Sequence, residues 1–180
     1  TTIMRYMILS ALSRMYGTVN GLYYSSYDTE INTHENRNRT LSWSFEAFKG
    51  KDIQDEGMWQ LTNKAVYSGN EYWMEVKKYL KDKATEKKPK LYETAFLDRD
   101  RVSPMKVLTP TFNDIDSLSQ FITADVEKTM ETTELSDSAG NTIFMRQGLA
   151  KSKMLLEMPQ VAAQGFNFFC FTAHIGKEIV

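Results

Sequence analysis

Apolar side chains at Ile3, Met4, Met7, Ile8, Ala11, Leu12 and Met15 recur at i, i+3/i+4 spacing, which predicts a helix over 3–16 with one buried face. Gly17 supplies a stop. Val19 to Tyr27 is rich in β-forming residues and reads as a strand, closing in Asp28-Thr29-Glu30. From His34 to about Arg101 the apolar positions (Trp43, Phe45, Phe48, Met58, Trp59, Leu61, Tyr72, Trp73, Val76, Leu80) suggest a mostly helical insertion. A second strand is expected over Met105–Ser117, interrupted by Pro110 and Asn113. Helical spacing returns from Met145 to about Gln164, where Pro159 should kink or end the helix. Phe166 to Thr172 is almost continuously apolar, as buried parallel strands are. Helix, strand, helical region, strand, helix, strand is the order of an α/β fold, a mostly parallel sheet with flanking helices.

Composition narrows the class. The 180 residues fit one domain, and 13 of them are Gly or Pro, too few for a disordered or fibrous chain. The single cysteine, Cys170, allows no internal disulfide and suits a reduced, cytoplasmic setting; no apolar run is long enough for a membrane span. A net charge of −1 hides two opposed segments. Lys77–Lys90 carries seven lysines and two acids, and Asp114–Ser138 carries seven acids and one lysine. The first reads either as a solvated helix face or as a nucleic-acid contact.

In parallel sheets, ligands sit at the carboxyl ends of the strands. All three expected strands end in chemically capable residues: Asp28 and Glu30, Asp116 and Ser117, Thr172 and His174. That set suits a nucleoside-triphosphatase. Asp116 would hold Mg2+, often through water, with Ser117 in the same shell; Glu30 would act as general base; His174 would touch the γ-phosphate. Any one of these acids, taken alone, is more often a helix cap or a solvated turn residue; it is three at matching strand ends that carry the reading. Asp114 and Asp116 share one side of their strand, and a carboxylate pair there ranks below the single-ligand reading. His34, His174 and Cys170 lack zinc-type spacing, and Cys170 lies mid-strand as inert core.

The order of these motifs resembles the RecA-like P-loop ATPases, in particular phage recombinases of the UvsX type. Leu22-Tyr23-Tyr24 through Tyr27-Asp28-Thr29-Glu30 is similar to the family's strand ending in the catalytic glutamate. Ile115-Asp116-Ser117-Leu118 is similar to its Walker B ending, and Phe171-Thr172-Ala173-His174 to the strand that senses the γ-phosphate. Arg146-Gln147-Gly148-Leu149-Ala150-Lys151 is similar to the helix after the first DNA-binding loop. The resemblance implies ATP and Mg2+ as cofactors, Glu30 and His174 as catalytic residues, and Asp116 and Ser117 at the nucleotide. It also implies single-stranded DNA as partner and a homo-oligomer, filament or ring.

The G-x-x-x-x-G-K-[S/T] loop does not occur in the chain. Thr1 and Thr2 are similar to the residues that follow that loop, so 1–180 is expected to be a single RecA-like core cut at both ends, with 34–101 inserted and weak hydrolysis as it stands. The stretch Ser119–Gly140 falls where the family keeps its first DNA loop but is acidic, so Lys77, Lys78, Lys81, Lys83, Lys87 and Lys88 are the better electrostatic candidates for DNA. The alternatives are a non-catalytic binding or assembly module and the ATPase core of a hexameric helicase or packaging motor.

Overall fold

In the computed structural model, residues 2–31, 35–132 and 139–173 are described. Four strands form an all-parallel sheet in the order β2-β1-β5-β6: β1 is Tyr23–Asp28, β2 Trp59–Asn63, β5 Thr111–Asp116 and β6 Asn167–Phe171. Strands β3 (Leu91–Leu97) and β4 (Pro104–Leu108) pair antiparallel as a separate hairpin. The helices are α1 (Thr2–Met15), α2 (Glu35–Ser42), α3 (Gly69–Thr85), α4 (Ala124–Thr132) and α5 (Ala139–Gly165). The protein is α/β, with a parallel sheet flanked by helices. Among the described residues, no helix is long and apolar enough to cross a membrane.

Strand alternation sends Tyr24, Phe112 and Trp59 to one face, where Ile8, Leu9 and Leu12 of α1 cover them together with Phe48 and Ile53. The opposite face carries Tyr27, Ile115 and Phe169 under Tyr72, Trp73, Val76 and Leu80 of α3 and Met154 and Met158 of α5. Trp73 Nε1 and Lys77 Nζ both donate to Glu157, at 3.2 and 2.9 Å, and tie these two helices together. α3 begins on a capping box, Ser68 accepting from the Glu71 amide while its own amide donates to the Glu71 carboxylate.

Three expectations change. The stretch 34–101 is not mostly helical: it delivers edge strand β2, whose Trp59 stacks on Tyr24 with centroids 4.9 Å apart, as well as α2, α3 and half of the hairpin. The strand expected over Met105–Ser117 divides into β4 and β5 at Thr109-Pro110, because proline cannot donate to a ladder. α5 continues through Pro159. Pro159 is exposed, and buried Met154 and Met158, with half-buried Val161, anchor the helix on both sides of it.

Candidate active site at the carboxyl edge of the sheet

Because the sheet is all parallel, its strands end on one edge. Asp28 lies directly across from Asp116, and Ile115 across from Phe171, so the residues following β1, β5 and β6 converge there. The Thr172 hydroxyl donates to Asp116 Oδ1 at 2.6 Å, and the Leu118 amide donates to the Thr172 carbonyl at 2.7 Å. The Ser117 hydroxyl reaches Glu30 Oε1 at 3.5 Å. Glu30, Asp116, Ser117 and Thr172, separated by up to 142 positions in the chain, therefore share one corner. Asp116 and Ser117 are buried, whereas Glu30 is exposed, its backbone amide donating to Asp28 Oδ1 at 3.0 Å.

Thr29 joins the two ends. Its amide donates to the Asp116 carbonyl at 2.7 Å, and its hydroxyl accepts from the Ser117 amide at 2.7 Å and donates to the Ser117 carbonyl at 3.1 Å. The Asp116–Ser117 peptide is cis. This clamp fixes Glu30, one residue on, relative to the Asp116-Ser117 unit.

Behind the edge, α1 runs antiparallel to the strands, so its first turns lie beside the carboxyl end of β5. Arg5, 3% exposed, pairs with fully buried Asp114 at 3.6 Å. Asp114 also accepts a hydrogen bond from Ser26, whose oxygen in turn accepts from Trp59 Nε1 at 2.8 Å. Burial is the largest influence on the Asp114 carboxyl and pushes it above the usual range, against the opposing pull of Arg5 and Ser26. Asp114 is thus bound into the core beneath α1, and the pairing of Asp114 with Asp116 as one chemical unit is not what the geometry builds.

Of the remaining candidates, Thr2 opens α1 and its hydroxyl accepts from Arg37 Nη2 at 3.0 Å. Thr1 and His174 lie outside the described residues, as do 133–138 of the acidic stretch. Cys170 is half-buried beside Asp114, and burial, with Asp114, raises its thiol pKa, in keeping with inert core. The lysines sit elsewhere. Lys83 Nζ donates to the Gly165 carbonyl at 2.5 Å and reaches Thr111 Oγ1 at 3.4 Å, both at the amino edge of the sheet. Lys77 is engaged by Glu157, while Lys78, Lys81, Lys87 and Lys88 are exposed.

Asp28 and Thr172 were legible as strand ends but without a role; the structure makes one a support for Glu30 and the other a partner of Asp116. Thr29 and Arg5 were missed. Arg5 had a signal: it occupies the same stripe as Ile8, Leu9 and Leu12, at i−3, i−4 and i−7, where a lone charge demands a buried partner.

Among the described residues, no group of three or more His, Cys, Asp or Glu converges on a metal-sized point. The donor set at this edge is hard oxygen, one or two carboxylates with hydroxyls. That suits a Mg2+ ion completed by waters and substrate phosphates rather than one caged by protein. Comparison with protein-family models, with curated proteins and with solved structures finds no match to this chain.

Proposed function

We propose that this chain carries a RecA-like ATPase core that couples ATP binding and hydrolysis to action on DNA, as a recombinase or recombination mediator. The observation that carries the reading is the convergence of exposed Glu30 with buried Asp116 and Ser117 and half-buried Thr172 at the carboxyl edge of a parallel sheet. This is where such sheets bind ligands. In this reading Glu30, open to solvent and oriented by Asp28, takes the proton of the attacking water. Asp116, held by Thr172, and Ser117 would hold Mg2+ through water, and the ion would supply charge neutralisation at the β- and γ-phosphates. His174, two residues beyond Thr172, is the candidate γ-phosphate sensor.

The partners this reading implies are single-stranded DNA, met on the lysine-rich amino-edge side of α3, and further copies of the chain. The phosphate cradle is not among residues 1–180. The test therefore fuses a strand and a Gly-x-x-x-x-Gly-Lys loop ahead of Thr1 and measures DNA-stimulated ATP hydrolysis. A fall of about a hundredfold or more in Glu30→Gln and Asp116→Ala supports the reading, in line with the usual contribution of a general base. Turnover unchanged in both variants overturns it.

A further inference from the structure

Resting on that DNA-directed reading, we infer that the β3–β4 hairpin is the surface on which this chain holds single-stranded nucleic acid, with exposed Phe96 stacking on a base and the cations of the hairpin and its root taking the phosphates. Among the described residues the hairpin pairs only with itself: Leu91 faces Leu108, Tyr92 faces Val107 and Glu93 faces Lys106, in a sheet separate from the main one. A two-stranded ribbon is marginal alone in water. This one nevertheless exposes Leu91, Phe96 (71%), Leu97 and Val102 (79%) within twelve residues. Four exposed apolar side chains in so short a ribbon leave the Phe96 ring open to a ligand.

Charge selects the occupant. Residues 86–108 hold six cations and four acids, and three of those acids are already engaged within the hairpin. Asp98 accepts from the Arg99 amide at 2.7 Å, Asp100 accepts from the Val102 and Ser103 amides at 2.9 Å, and Glu93 pairs with Lys106 at 3.1 Å. Among the described residues, no ion pair engages Lys87, Lys88, Lys90, Arg99 or Arg101, all of them exposed. Protein-binding patches are depleted in lysine at their centres, whereas an aromatic ring flanked by unpaired lysine and arginine is the composition that grips single strands. The hairpin also continues the exposed Lys78 and Lys81 of α3, from whose end it springs.

The test is fluorescence anisotropy of a labelled oligothymidine on the full chain, titrated over a range of salt. Phe96→Ala is expected to weaken binding roughly tenfold, within the range of one lost base stack. The double variant Arg99→Ser/Arg101→Ser is expected to lower the slope of log K against log salt by about 1.4, since each phosphate contact on a single strand is worth about 0.7. Because these side chains are exposed, the variants fold. Wild-type affinity and slope in both variants overturn the inference while leaving DNA binding to another surface. No binding by the wild-type chain overturns it together with the DNA part of the reading above, and nucleotide chemistry at Glu30 stands or falls separately. Self-association of the wild type that Phe96→Ala abolishes, with oligonucleotide affinity untouched, also overturns it, in favour of contact between copies.

Discussion

Thr29 offers the sharpest test of how the edge is held together. Its side chain is fully buried, and its hydroxyl is the acceptor of the Ser117 amide at 2.7 Å and a donor to the Ser117 carbonyl at 3.1 Å. Thr29→Val keeps the shape and removes the hydroxyl, leaving a buried amide donor at a residue that is itself 1% exposed. An unsatisfied buried donor costs about 1–3 kcal/mol beyond the modest worth of the bond, so Thr29→Val should lose about 2–3 kcal/mol. Thr29→Ser keeps the hydroxyl and loses one buried methyl, about 1 kcal/mol. Urea denaturation of the three proteins gives the ordering directly: wild type above Thr29→Ser above Thr29→Val. For a chain of this length the larger loss corresponds to a fall in Tm of roughly 4–12 °C. If Thr29→Val lies within about 0.5 kcal/mol of wild type, or above Thr29→Ser, the hydroxyl clamp does not hold Asp116-Ser117 to the end of β1.

Two further outcomes follow from the same kind of reasoning. Burial lowers the Lys83 pKa to about 8 from an ordinary 10.5, so its ammonium costs stability below pH 8 and that cost is relieved as pH rises toward 10.5. Urea midpoints should therefore show wild type gaining on Lys83→Met between about pH 8 and 10, the buried tyrosines being common to both; a constant difference would mean the amine titrates normally. Ser68→Ala removes the capping box of α3 and should cost about 1 kcal/mol. The Ser68 amide first, and its hydroxyl second, hold the Glu71 carboxyl below its usual range, a contribution present at neutral pH and lost as pH falls through that range; the variant keeps the amide and loses the hydroxyl, so its acid titration should show a slightly shallower loss of stability.

The strand ends were legible because alternation and apolar runs mark where β1, β5 and β6 stop, and a parallel sheet makes those stops coincide. Strand β2 was not. Trp59-Gln60-Leu61-Thr62-Asn63 does alternate, but five residues set among Met58, Phe48 and Tyr72 are read as readily at helical spacing, and the deciding contact, Trp59 on Tyr24, lies 35 positions away. Pro159 misled in the other direction. Its cost is local, whereas the burial of Met154 and Met158 against α3 and the sheet acts across the whole of α5. The Thr29 clamp joins two loops 88 positions apart and has no local signature, because a threonine after a strand is ordinary in itself. Local chemistry located the edge, and long-range hydrogen bonding decided which residues there act together.

On the proposed function, the edge formed by Glu30, Asp116, Ser117 and Thr172 receives a metal-bound nucleoside triphosphate. Paramagnetic broadening tests it on the chain as it stands, because Mn2+·ATP leaves a footprint even when binding is weak. The amide signals of Glu30, Ser117 and Thr172 are expected to broaden first, and Asp116→Asn to abolish the effect. Broadening that centres elsewhere, or that survives Asp116→Asn unchanged, would contradict it.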